Sequence, residues 1–170
     1  VLPKASMRAL LLKTRDLLAE EQKAPSDKPL KPFEREGWGI GCFFYGNGRT
    51  SLSNPGIATV KISKDGLIEV GVGSPDIGQG SDTIFAQIAA EAMGIDSQHI
   101  IVKSADTRCT LDSGTTSGTR LTAIVGRAVE IASKKLRNTI IEYAARAYGV
   151  EATRIDLVSD ADGLKLRATP

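Results

Sequence analysis

The chain has 170 residues, 41% of them hydrophobic and 25% charged, and its 22 basic and 20 acidic side chains leave a net charge of +2. This is the balance of a globular sequence long enough for one core, which excludes wholesale disorder, and the small net charge excludes a field that would recruit nucleic acid. No apolar stretch approaches the roughly 20 residues needed to span a bilayer, and Val1–Glu20 lacks the plan of a signal peptide, so a cytoplasmic protein with no membrane partner is expected. The first residue is Val1 rather than Met, and the chain starts as if in the middle of something, which predicts a fragment or processed piece of a larger chain. Cys42 and Cys109 form no CxxC, and with one histidine in the chain neither a zinc site nor a disulfide framework is indicated; both read as buried free thiols.

In chain order, Ser6–Gln22 places Leu10, Leu11, Leu17 and Leu18 among charges, an amphipathic helix suited to packing on a neighbour. Ala24–Pro32 carries Pro25, Pro29 and Pro32 among lysines and reads as an exposed linker. Gly37–Gly48 alternates glycine with large apolar residues, the composition of a strand closely approached by another group. In Ile57–Val72 two alternating runs, Ala58, Val60, Ile62 and Ile68, Val70, Val72, flank Lys64-Asp65-Gly66, which predicts a β-hairpin with one buried face. Ser81 or Asp82 is expected to cap a helix in which Ile84, Ile88 and Ala92 stack beside Phe85, Ala89 and Met93, ending at Gly94. His99–Lys103 reads as a strand, Asp106–Thr116 as a polar loop, Thr119–Tyr148 as a long helix closed by Gly149, and Ile155–Leu166 as a hairpin turning at Asp162-Gly163. The whole predicts an α+β fold of hairpins and strand-loop-helix units in a two-layer, sheet-and-helix domain, with residues 1–34 as N-terminal helix and Pro/Lys linker and 35–170 as the domain proper.

Two strand-to-helix junctions carry the unusual residues, Asp76-Ile77-Gly78-Gln79-Gly80 and Asp112–Arg120. A helix N-terminus leaves about four N–H groups unpaired and carries roughly half a positive charge, so it receives anions, and glycine lets a ligand reach the backbone. On residue chemistry alone two readings stay open, a glycine turn that merely feeds a helix or an anion seat. Gly71-Val72-Gly73 begins like GxGxxG, but Asp76 stands where the third glycine belongs, and no GxxxxGK[ST] occurs.

The succession of a strand, Asp76–Thr83, a helix, Ala105-Asp106-Thr107 and then Asp112–Arg120 resembles the xanthine dehydrogenase/aldehyde oxidoreductase family, and within it the second molybdopterin-binding domain of the molybdenum subunit. The likeness covers Arg35–Arg137; Glu36–Gly41 resembles the segment leading into that domain and Gly56–Gly66 its hairpin. It implies that Gly78, Gln79 and Gly80 contact the pyranopterin, and that Ser117, Gly118, Thr119 and Arg120 surround the pterin, its phosphate and the metal centre. The residue types suit those roles: an amide offers donor and acceptor together, Gly118 leaves room, and Thr119 adds a hydroxyl at a helix start. For Arg120 a surface salt bridge on the helix is the alternative. The resemblance further implies molybdopterin with molybdenum held by the cofactor's dithiolene sulfurs, in the cytosine dinucleotide form common in bacteria. Iron–sulfur clusters and FAD would sit on partner domains or subunits beside the remaining domains of the molybdenum subunit, and the small-molecule substrate would be an N-heterocycle such as a purine, or an aldehyde. The family's glutamate base and its Gly-Phe-Gly-type loop are not found in these residues, so no catalytic residue is assigned here. The competing class is a non-catalytic binding or assembly protein that retains the fold.

Other signals are weaker. Around Asp160-Ala161-Asp162-Gly163 the calcium-loop pattern fails, because Val158 and Thr169 occupy its first and twelfth positions. Arg127, Lys134, Lys135 and Arg137 read as a solvated helix face, and His99 as a histidine without chemistry.

Overall fold

The computed structural model describes residues 7–23, 30–43, 45, 46, 48 and 53–169. They fall into two units, residues 1–44 and 45–170.

In the first unit the leucine stripe forms helix α1, Met7–Glu21, which buries no residue. The linker expected at 24–32 lies outside the described residues up to Pro29. Beyond it the chain makes a turn in which the Glu34 N–H donates to the Lys31 carbonyl and the Glu34 carboxylate accepts from the Lys31 N–H. No strand forms among the described residues of 37–48. Open space surrounds the position of a side chain at Gly37, Gly39 and Gly41, and Trp38, Ile40 and Phe43 are exposed, so among the described residues no packing repays the entropy of ordering glycine here.

In the second unit β1, Thr59–Ile62, and β2, Ile68–Val72, pair antiparallel from Thr59↔Gly71 to Ile62↔Ile68. The turn between them closes through Gly66 at φ 77°. Helix α2, Ser81–Met93, crosses from β2 to β3, Ile100–Ser104, which lies parallel to β2 with Ile68 opposite Ile100 and Val72 opposite Ser104. The sheet order is β1-β2-β3. Ile68, Val70 and Val72 are fully buried against Phe85, Ala89 and Met93 of α2 and against Val125 and Val129 from the next helical segment. On the opposite face, Glu69 bridges Lys61 at 2.8 Å and Lys103 at 3.0 Å, a charged ladder across all three strands.

The long helix differs at its start from its sequence reading. Thr119 is left-handed at φ 61°, and a π-helical turn over Leu121–Val125 precedes helix α3, Gly126–Tyr148. Gly126 sits where α3 touches α2, since a Cβ there would stand 2.7 Å from the Ile88 side chain. Gly94 and Gly149 close α2 and α3 in left-handed conformations, as expected of C-terminal caps.

Strands β4, Ile155–Asp160, and β5, Gly163–Ala168, form a separate hairpin with Ala161-Asp162 as its two-residue turn, so Gly163 already pairs with Asp160. Leu157 joins the main core, and Ile155 packs with Ile141 and Ala144 of α3. The architecture is α+β, a helix layer on a three-stranded sheet with an added hairpin.

Two expectations about side chains are corrected. Cys42 and Cys109 are both exposed rather than buried, because one stands in the glycine run and the other on the loop that crosses the sheet. On the basic face of α3, Arg127 and Lys134 pair with Glu130, but Arg137 turns inward to the Met93 carbonyl at the end of α2 and to Asp156 of β4.

Candidate functional site

Because β2 and β3 are parallel, the two unusual loops leave from the same edge: residues 73–80 follow the carboxyl end of β2 and residues 105–120 follow that of β3. In open parallel sheets such an edge is where ligands bind. Here the loops are also stitched together. The Gly73 N–H donates to Ser113 Oγ at 2.8 Å, Ser74 Oγ donates to the Gly114 carbonyl at 2.7 Å, and Thr116 Oγ1 donates to the Pro75 carbonyl at 2.6 Å. Ser74 and Ser113 are completely buried, and the Ser113 hydroxyl donates in turn to the Ile57 carbonyl. The glycines of β2 make this crossing possible. A Cβ on Gly73 would collide with the Leu111 carbonyl and come within 2.9 Å of the Ser113 nitrogen.

In the first loop the structure corrects the expected cap. Gly80, at φ 80°, is the N-cap of α2 and offers no side chain; neither Ser81 nor Asp82 takes that role. Instead the Asp76 carboxylate reaches forward and accepts from the N–H groups of Gly78 at 2.7 Å, Asp82 at 3.1 Å and Gly80 at 3.3 Å. Those bonds, led by the one from Asp82, hold the Asp76 carboxyl below its ordinary range. The anion seat predicted at this helix start is therefore filled by the chain itself. Asp82 bonds through Oδ2 to Ser104 Oγ at the end of β3, and its Oδ1 is buried without a hydrogen-bond partner among the described residues.

Gln79 is exposed, with its Oε1 accepting from the Ile77 N–H at 2.7 Å and its Nε2 donating to Ser81 Oγ at 2.9 Å. This leaves one amide hydrogen and one lone pair directed elsewhere. Gly78 and Gly80 are left-handed, at φ 101° and 80°, with nothing within 4 Å of an added Cβ. The loop is thus an open backbone surface whose shape requires glycine, which fits close approach by a flat polar ligand.

In the second loop the expected residues separate into two groups. Ser117 is half-buried, with its Oγ 3.5 Å from the Tyr45 hydroxyl, and Thr119 is exposed. Gly118 makes room for another stretch of the chain: a Cβ on it would stand 3.0 Å from the Gly46 carbonyl and 3.1 Å from both the Gly48 nitrogen and the Tyr45 ring. Its own carbonyl accepts from the Gly48 N–H at 2.6 Å. Arg120 is 2% exposed, and its guanidinium donates to Asn54 Oδ1 and to the carbonyls of Pro55, Ser113 and Thr115. At the loop's entrance Asp106 is held down to about 2 by the Arg108 side chain and by the Arg108 N–H. Ala105 beside it is left-handed at φ 53°.

Sequence reasoning missed Asp76, Asn54, Ser74, Ser113 and Thr116 as builders of the site. Asp76 was legible in principle, since aspartate two residues before a glycine is an Asx-turn signal; the others act through contacts distant in sequence. No group of three or more His, Cys, Asp or Glu that could hold a metal ion occurs among the described residues, and none of the described helices is long and apolar enough to cross a membrane.

Residues 12–166 match the molybdopterin cofactor-binding domain family. The chain is 31% identical over 130 residues to the putative xanthine dehydrogenase molybdenum-binding subunit of Escherichia coli, covering 73% of this chain and 17% of that subunit. It is 28% identical over 163 residues to the carbon monoxide dehydrogenase large chain of Afipia carboxidovorans, covering 90% of this chain and 20% of that one. The crystal structure of the Cu,Mo-CO dehydrogenase in its carbon monoxide reduced state superimposes with a TM-score of 0.57 at 25% identity, over 66% of this chain and 15% of that one. The chain therefore spans about a fifth or less of the length of these relatives.

Proposed function

This chain belongs to the molybdopterin cofactor-binding domain family of the molybdenum hydroxylases, and from that premise we propose that it is part of the molybdenum-bearing subunit of an enzyme that oxidises an N-heterocycle of purine type, or an aldehyde, with oxygen taken from water. The rest of that subunit, together with iron–sulfur and FAD domains or subunits, completes the enzyme, which works in the cytoplasm. Residues 35–170 form its cofactor-binding part, and residues 1–34 an N-terminal helix and Pro/Lys linker. The cofactor is molybdopterin in its cytosine dinucleotide form.

Bound at the paired loops, this cofactor supplies the redox chemistry, its metal held by its own dithiolene sulfurs. The chain's residues bind and orient it. Gly78 and Gly80 admit its edge to the backbone, and Gln79 offers it the remaining amide hydrogen and lone pair. Because Asp76 already takes the Gly80 and Asp82 N–H groups at the start of α2, phosphate is assigned to the second loop, through the hydroxyls of half-buried Ser117 and exposed Thr119. Gly118 and Arg120 support that loop from behind.

The observation that carries this reading is the stitching of two glycine-rich loops at the carboxyl edge of parallel strands. Gln79→Ala in the assembled enzyme tests it. Molybdenum and released cytidine nucleotide per protomer should fall, with cofactor retained about tenfold less tightly, the cost of roughly one hydrogen bond, and with the protein still folded. Wild-type loading and activity in that variant would remove the role of the first loop.

A further inference from the structure

We propose that Arg120 is a positioning residue, which never touches the cofactor but holds the 113–119 loop in the shape that does; the inference rests on the cofactor reading of that loop. Among the described residues the guanidinium donates four hydrogen bonds: Nε to Asn54 Oδ1 at 2.7 Å, Nη2 to the Pro55 carbonyl at 2.6 Å, and Nη1 to the carbonyls of Ser113 at 2.7 Å and Thr115 at 2.9 Å. Its plane thus joins two chain segments more than fifty residues apart in sequence. The loop arches over it at Gly114, left-handed at φ 78°, where a Cβ would stand 2.9 Å from Nη2 and 3.1 Å from Cζ and Nη1.

The arch also explains how the loop sustains a costly backbone. Gly118 and Thr119 are consecutive left-handed residues at φ 50° and 61°, and a β-branched residue in that region costs of order 1–3 kcal/mol unless its surroundings over-determine it. Two anchors do so here. The Gly118 carbonyl accepts from the Gly48 N–H, and the next residue but one, Arg120, is locked through its whole side chain. Between these anchors the Thr119 backbone is held in its left-handed conformation, and Ser117, whose Oγ lies 3.5 Å from the Tyr45 hydroxyl, directly precedes them; this is the pre-organisation that a tight cofactor site needs. Only arginine offers a planar fork that can reach both segments; lysine brings the same charge from a single point.

That contrast sets the experiment, made on the assembled enzyme with Arg120→Lys and Arg120→Gln. Two readouts are taken: molybdenum and released cytidine nucleotide per protomer, and amide hydrogen exchange at Gly48, Gly73 and Gly114, whose N–H groups bond to or within this loop. Both variants should exchange these amides about tenfold faster or more, as expected for losing a charged hydrogen bond, while amides within α2 and β2 keep their protection. Loading in Arg120→Lys should fall as far as in Arg120→Gln. Native protection of the loop in Arg120→Lys would overturn the proposal, and so would loading in Arg120→Lys well above that of Arg120→Gln, because a retained charge matters only to a group that meets the phosphate directly. If the Arg120 variants do not assemble, Asn54→Ala, which removes only the partner of Nε, takes their place: faster exchange at these amides with reduced loading is expected, and native protection of the loop in Asn54→Ala would overturn the proposal. A wild-type enzyme that carries neither molybdenum nor nucleotide would sink the cofactor reading instead, and the exchange comparison would still decide whether Arg120 shapes the loop.

Discussion

At the scale of single residues, the decisive feature of the first loop is a carboxylate that the chain supplies to itself. Asp76 takes three N–H groups at the start of α2, and their hydrogen bonds pull its pKa down from an ordinary value of 3.8. A depressed carboxylate stabilises the fold at pH values above its unfolded pKa, and that stabilisation disappears as the pH falls through the folded value. Asp76→Asn should therefore be less stable than wild type at neutral pH, and the gap between the two should close as the pH falls below about 3.8. Thermal unfolding of both proteins across an acid series measures this; a gap that does not change with pH would show that the charge of Asp76 is not what holds the loop. Arg120 illustrates the opposite case, a charge at the surface by sequence position that the fold buries under backbone carbonyls.

Among the elements, the second loop and the π-helical turn behind it form one strained unit. Thr119 is left-handed directly before the turn, and Gly56 packs so closely on that turn that a Cβ would stand 2.8 Å from the Ile124 carbonyl. Thr119→Gly should relieve the backbone strain and raise stability by about 1 kcal/mol, yet lower cofactor loading because the hydroxyl is lost. Chemical denaturation and molybdenum content, read on the same preparation, should move in opposite directions; a parallel fall in both would mean that the Thr119 conformation is not strained. The periodic elements needed no such context. The alternation of β2 and the 3.6-residue pattern of α2 were readable because each turns an apolar face to the core, whereas in β1 Val60 is only half-buried and Ile62, expected on the buried face, is exposed. The glycine run at 37–48 misled because alternation there reflects composition, with no pairing partner to make it a strand among the described residues.

For the molecule as a whole, stability rests on the layer contact in which Phe85, fully buried, meets β2 and α3. Phe85→Ala should cost about 3–5 kcal/mol in equilibrium unfolding, and a cost under about 1 kcal/mol would show that the helix layer does not depend on it. Sequence alone determined the α+β class, the order of hairpin, helix and strand, and the positions of the two unusual loops, because periodicity, turn chemistry and glycine placement are local properties of the chain. Its likeness to a molybdopterin-binding domain was also legible, since the order and spacing of two motifs survive in one dimension. Which way the loop residues turn was decided only by the tertiary structure. Asp76 turned to the Gly80 and Asp82 N–H groups, Gly118 made room for Tyr45, Gly46 and Gly48, and Arg120 went under the loop rather than out to solvent. The physical reason is that hydrogen bonds and steric room at a loop are settled by partners such as Asn54 and Gly48, which lie far away in sequence and come together only when β2 and β3 lie side by side.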